Sequence, residues 1–412
     1  MYVLRMKIKW AIFIVCLLVS LVVGYGLMRD SRSAVSVDAF IAGHWQRPIA
    51  AQGAVPEGFT PREGSLAPAD CGSCHPRQWE DWQNSLHSRT VGAGLMWQLH
   101  LMNQQQANRC LDCHAPLAEQ KALLAMRFAW PGAPSAPVPA YVPDDLDTQG
   151  LICAACHVRK HQHFGPPPRG KPAAAPLPHG GFTAHEAFSD SRFCAACHQF
   201  PEDGPRVNGK LQEDTYAQWL ASPAAAAGRQ CQDCHMPDRR HLWRGIHDPE
   251  MVRGSADADL ALTTVDGRTR VTALLSNRDV GHLFPTYMVP KVVMTLRAER
   301  KDGEVKTLAQ SVIGWQVNVD LNREIADNRI APGDSHRLEA WLDDEVESVV
   351  LDVDVIPREH YERMFEQMLE QADSLPEAAL DQLKTAYAEA RATRYRLLSH
   401  RRPVVVQTGI AN

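Results

Sequence analysis

RQCQDCHMPDRRHLWRGIHDPE, residues 229–250, places two thiols three positions apart, sets a histidine directly after the second, and adds two more histidines within the next dozen residues. The same Cys-x-x-Cys-His pattern occurs four more times upstream. The five copies are Cys71-Gly-Ser-Cys74-His75, Cys110-Leu-Asp-Cys113-His114, Cys153-Ala-Ala-Cys156-His157, Cys194-Ala-Ala-Cys197-His198 and Cys231-Gln-Asp-Cys234-His235, and they take up ten of the eleven cysteines. Two thiols at this spacing can form thioethers to the two vinyl groups of one porphyrin, which leaves the adjacent histidine beneath the iron as an axial ligand. Five covalently attached c-type haems are therefore expected. Zinc ribbons combine two Cys pairs in each Cys₄ site, and five pairs leave one over. A disulfide framework has no reason to put a histidine after every second cysteine.

The bulk properties fit an exported redox protein. With 412 residues and 45% apolar content, the chain is globular and long enough for two or three domains. Its formal charge of −5 becomes more negative once haem propionates are counted. That balance argues against nucleic acid as a partner. Residues 10–28, WAIFIVCLLVSLVVGYGLM, form an apolar run of the length a membrane-spanning helix requires. Arg5, Lys7 and Lys9 precede it, and no small-x-small cleavage site follows. An N-terminal transmembrane helix within residues 1–30 is expected, with the main body in the periplasm or otherwise outside the cell membrane. Cys16 falls within the run as an apolar thiol.

Residues 31–68, rich in Ala, Pro and Gly and without a sustained period, read as a linker. The motifs then recur at intervals of 39, 43, 41 and 37 residues within a haem-bearing domain at 69–255. The proline-rich stretches WPGAPSAPVPAYVP and GPPPRGKPAAAPLP interrupt it as extended loops. So little patterning leaves porphyrins to supply the apolar core. Beyond residue 256, DLALTTV, RVTALLS, KVVMTLRAERKDGEVKTLAQSV, HRLEAWL and VESVVLDVDVIP alternate as antiparallel strands, with a Lys301-Asp302-Gly303 turn, and suggest a β-sandwich. Two helices follow, REHYERMFEQMLEQ and AALDQLKTAYAEARATRYRLL. The second is announced by a Ser374–Glu377 capping box with Pro376, and Leu380, Leu383 and Tyr387 share one face. The fold class expected is an α plus irregular multihaem cytochrome domain with an appended antiparallel β-sandwich and C-terminal helices over 256–412.

The stretches CGSCHPRQWEDWQNSLHS, HEAFSDSRFCAACHQF, TYAQWLASPAAAAGRQCQDCHMP, HLWRGIHDPEM and GHLFPT resemble periplasmic multihaem cytochromes c of the broad group around hydroxylamine oxidoreductase and its tetrahaem electron acceptor. The likeness covers roughly residues 69–290, and such families diverge widely in what they reduce. Function then turns on the sixth coordination position, because an iron with two histidines passes electrons whereas one with a free face can bind a small molecule. Candidate second ligands are His87, His100, His161, His163, His179, His185, His241, His247 and His282. The resemblance implies that His87 serves the third haem. His161 or His163 should serve the first, with His163 preferred. His185 lies in a phrase resembling the family's ligand-bearing helix. Of His241 and His247, His247 is preferred because Gly-Ile-His-Asp-Pro recurs in the resemblance. His282, between Gly281 and Leu283-Phe284-Pro285, is expected to reach the fourth or fifth haem, with Phe284 covering an apolar porphyrin edge. Met96, Met102, Met236 and Met288 are alternative ligands, and Trp79 and Trp82 could stack on porphyrins; packing is the commoner role of both residue types.

The leading functional expectation is a membrane-tethered pentahaem relay that exchanges electrons with membrane or periplasmic redox partners. The alternative is an oxidoreductase with one five-coordinate haem acting on a small nitrogen or sulfur compound. No Cys-x-x-Cys-Lys variant occurs. A quinol dehydrogenase is weakened by the distance of the first motif from the apolar run.

Overall fold

The computed structural model describes residues 35–170, 177–343 and 345–404. Two compact units divide the chain, one ending at His44 and the other beginning at Trp45. The described part of the first is the helix Val37–His44. The apolar run at 10–28 lies outside the described residues, among which no helix is long and apolar enough to cross a membrane.

In the second unit the expected linker is built into the fold from Trp45 onward. Ile49 and Leu66 are buried. The Gln52 amide donates to the Glu119 carboxylate at 2.7 Å, and the Leu66 amide donates to the Tyr141 carbonyl at 2.9 Å. Apart from the short helix Pro61–Gly64 it forms turns and extended chain over 45–67, so most of its backbone groups find partners one at a time.

Each motif sits on or at the end of a short helix: Pro68–Gly72, Gln104–His114, Cys153–His157, Arg192–His198 and Cys231–His235. A helical turn brings positions three apart onto one face, which is what paired thioethers require. Around the second motif, Leu95, Leu99, Ala107, Leu111, Leu124 and Trp130 form an apolar cluster. The later part is different. Arg192–His198, Thr215–Leu220, Pro223–Ala226 and Cys231–His235 contain no buried residue. Residues 131–143 form turns and extended chain, as their prolines dictate.

The region beyond 256 forms two antiparallel sheets. One orders Ser335–Trp341, Arg268–Asn277 and Ala256–Val265; the other orders Tyr395–Pro403, Val346–Ile356, Lys291–Arg300 and Val305–Ile313. Leu260, Val271, Ala273 and Leu275 of the first share one core with Val292, Met294, Leu296, Val349, Leu351, Val353 and Val355 of the second. That is the expected sandwich.

The C-terminal part departs from expectation in two ways. The second helix ends at Ala392, and Tyr395–Pro403 is a strand paired with Val346–Ile356. Its sequence alternates: Leu397 is buried while Arg396 pairs with Asp354 and Arg401 with Glu299. A period of two defeats helix propensity here. The Ser374 capping box does not form either. Pro376 holds the N-cap position, and the Ser374 hydroxyl donates to the Gln371 carbonyl at 2.7 Å.

The helices Glu359–Leu369 and Glu377–Ala392 pack on Ala93–Leu99 of the motif-bearing region. Trp97, Phe365, Leu383, Ala386 and Ala390 share one cluster, with Trp97 edge-on to Phe365 at 6.1 Å. Leu383→Ala is therefore expected to cost about 2–5 kcal/mol and to speed hydrogen exchange in Ala93–Leu99 as well as in its own helix. Unaltered protection of Ala93–Leu99 would mean that the helical pair is a separate unit.

Candidate haem attachment and ligation sites

None of the ten motif cysteines is in a disulfide. Among the described residues, no three His, Cys, Asp or Glu side chains converge as they would on a zinc ion. The sulfurs instead meet across motifs. The thiols of Cys71 and Cys153, of Cys113 and Cys197, and of Cys231 and Cys194 lie close enough to shift one another's ionisation. The first motif thus neighbours the third, the second neighbours the fourth, and the fourth neighbours the fifth. Cys156 of the third motif bears electrostatically on Cys194 and Cys197 of the fourth.

Three of the motif histidines are oriented by carbonyls. Nδ1 of His114 faces the Thr90 carbonyl at 2.8 Å, that of His157 the Phe164 carbonyl at 2.8 Å, and that of His235 the Arg244 carbonyl at 2.6 Å. Such a bond fixes the proton on Nδ1 and leaves the Nε2 lone pair for a metal.

Three of the five motif histidines have an imidazole opposite them. His87 faces His198 with ring centroids 6.4 Å apart, His241 faces His157 at 6.1 Å, and His282 faces His235 at 6.4 Å with planes only 6° apart. Two imidazoles on opposite faces of one metal, each about 2.0 Å from it and with the ring centre roughly 1.1 Å behind the nitrogen, stand about 6.2 Å apart. The observed pairs match that dimension. Burial holds His87 down to about 3, and His241 and His282 to about 4, which keeps each ring in the neutral form that ligates. Nδ1 of His241 lies 3.1 Å from the Arg239 carbonyl, and that of His282 lies 2.9 Å from the Leu283 carbonyl. The Nδ1 atoms of His87 and His163 are buried without a hydrogen-bond partner. The residues fit haem: paired thiols on helical turns, oriented imidazoles, and helices with no apolar core of their own.

Several positions differ from the sequence expectations. His87 stands opposite the fourth motif's histidine, not the third's, because the loop after Pro76–Asn84 carries it across to His198. The third motif's histidine is faced by His241, whereas His247 lies by Arg358, outside any such pair. His185 caps the short helix Glu186–Ser189, its Nδ1 accepting from the Ala187 amide at 3.1 Å. With Nδ1 as acceptor, the proton of a neutral ring sits on Nε2, the reverse of the ligand arrangement. His161 packs edge-on to Tyr141 at 4.8 Å, and His100 edge-on to Phe128 at 4.9 Å. His163 instead stacks on His179 at 4.0 Å, and His179 is the histidine that bears on His75. Rings 4.0 Å apart touch directly, so at most one of His163 and His179 can share an iron with His75. No histidine ring stands opposite His114 at the metal spacing, although all 18 histidines lie among the described residues.

Phe284 does not reach a porphyrin edge; it is buried in the sandwich core. The His282 loop is held instead by Asn277, whose amide donates to the His282 carbonyl at 3.0 Å, and by close approach of Gly281 to Ala224 and Trp219. A Cβ on Gly281 would lie 3.1 Å from that of Ala224. Met96 and Met102 pack against the second motif's apolar cluster, and Met288 is buried beside Trp315. Trp79 lies flat on Gly72, and the Trp82 indole donates to the Leu151 carbonyl at 2.8 Å. Arg47, which sequence reasoning passed over, contacts two motif cysteines. Nothing local distinguishes it from the other surface arginines.

A family model described as "Cytochrome c554 and c-prime" matches residues 70–129. No curated protein matches the sequence significantly. Among solved structures, the chain is similar to a penta-haem cytochrome c552 from Thermochromatium tepidum, with 18% identity, a TM-score of 0.57, and coverage of 83% of this chain and 100% of that one. Coverage of 83% is more than residues 69–255 contain, so the shared fold extends into the β-region.

The ring pairs separate two neighbouring histidines experimentally. In haem-loaded protein, His241→Ala is expected to convert one low-spin haem to high spin, while His247→Ala leaves the spectrum unchanged. The opposite result would restore the sequence preference for His247.

Proposed function

We propose that the chain is a multihaem c-type cytochrome that carries five covalently attached haems and passes electrons along them. The observation that carries this reading is the set of three imidazole pairs at 6.1–6.4 Å, each joining a motif histidine to a distant one. Haem, when bound, supplies a one-electron iron couple. The chain's own residues do the rest. His87 with His198, His241 with His157, and His282 with His235 would hold a haem iron from both sides and leave no room for an exogenous ligand. At the first motif, one of the stacked pair His163 and His179 would be the second ligand opposite His75. Contact between the sulfurs of motifs one and three, two and four, and four and five makes successive sites neighbours, as a relay requires. The apolar run at 10–28 would tether this relay to a membrane, with redox proteins as donor and acceptor.

The absence of an opposing histidine at His114 favours a second reading at that site. There the sixth position would be open to a small ligand, giving the protein an oxidoreductase or ligand-binding role at one of its five sites.

Two measurements test these readings. After a pulse that delivers less than one electron per molecule, electrons are expected to redistribute among the haems at a rate independent of protein concentration. A rate proportional to concentration would mean isolated haems and end the relay reading. Carbon monoxide is expected to bind the fully reduced protein once per chain. Failure to bind would show that the second motif's iron is also saturated.

A further inference from the structure

Arg47 reaches two attachment turns at once. Its Nη1 donates to the Cys113 sulfur at 3.5 Å, and its Nη2 donates to the Cys197 sulfur at 3.1 Å and to the Ala196 carbonyl at 2.8 Å. These are the second cysteines of motifs two and four. The guanidinium is partly buried, and its Nε has no acceptor. The carboxylate that bears on it, Asp112, is engaged by Lys121. Arg47 thus brings a positive charge to two neighbouring sites without a carboxylate bonded to it.

The other motifs are treated differently. At the fifth, Arg229 donates to the Cys234 sulfur at 3.0 Å but also to the Asp279 carboxylate at 2.6 Å, which balances its charge. At the first, the Cys74 sulfur receives only the Ser73 hydroxyl, at 3.8 Å, and the carboxylate of Asp70 bears on Cys71. The electrostatic environment is therefore negative at the first motif and positive, without a bonded carboxylate, at the second and fourth, with Arg159 bearing on Cys156 at the third between them.

We propose that Arg47 sets the reduction potentials of the haems attached at the second and fourth motifs, holding both above that of the haem at the first. A fixed positive charge favours the reduced state, which carries one positive charge fewer. The consequence is directional. Electrons that enter at the first motif run through the third toward the fourth and second. The proposal rests on the reading that these motifs carry haem.

Spectroelectrochemical titration of the haem-loaded protein tests it. Arg47→Gln and Arg47→Met remove the charge, and Arg47→Lys keeps it. In both neutral variants, two of the five one-electron steps are expected to move to lower potential while three stay in place, and Arg47→Lys should retain most of the wild-type values. An unchanged titration, or a uniform shift of all five steps, overturns the proposal. So does a neutral variant that loads fewer than five haems by intact mass, because Arg47 would then be an assembly residue. A wild-type protein lacking haem at either motif would instead refute the underlying functional reading.

Discussion

Three pairs of imidazoles stand 6.1–6.4 Å apart, the spacing that an iron bonded on both faces would impose, and each pair joins distant parts of the chain. His87, just past the first motif, meets His198 of the fourth; His241, past the fifth, meets His157 of the third; His282, from the β-region, meets His235 of the fifth. Each pair ties together stretches of sequence that secondary structure alone would leave apart. The His282 pair also explains the sandwich's place in the fold. A rigid pair of sheets presents a short loop, Asn277 pins its backbone, and the ring arrives parallel to its partner.

The two halves of the larger unit are stabilised by different means. The sandwich buries Leu260, Leu275, Met294, Leu296, Val349 and Leu351 in one apolar core, which is sufficient to fold around. The helices between Arg192 and His235 bury nothing completely. A segment of that kind cannot offset its conformational entropy with its own side chains. Thioether attachment and axial ligation of haem would supply both the missing apolar mass and the cross-links.

Much of this was legible in the sequence, and the exceptions have a common cause. The five Cys-x-x-Cys-His turns are local, and so is the strand alternation in KVVMTLRAER. Both survive unchanged. What failed was inference along the chain about partners across it. Gly-Ile-His247-Asp-Pro is the more distinctive phrase, yet His241 is the ring that faces a motif histidine, because the backbone between them turns the later residue toward Arg358. His179 carries no local signal at all; it matters because the chain returns it to His163 and His75. The supposed linker reads as featureless because its prolines and small residues have no period, while the contacts that tie it to the rest, such as Gln52 with Glu119 and Arg47 with Cys113 and Cys197, are long-range. The strand Tyr395–Pro403 was read as helix because a strong helix precedes it and its alternating arginines look helical until the acidic strand beside them is known.

The central claim is that facing imidazoles mark the positions of irons. Anomalous scattering at the iron absorption edge, measured from crystals of the haem-loaded protein, locates each iron without reference to any assumed ligand. The account predicts five iron positions, three of them midway between the rings of His87 and His198, His157 and His241, and His235 and His282. Iron peaks displaced from those midpoints, with other side chains at the sixth position, would contradict it.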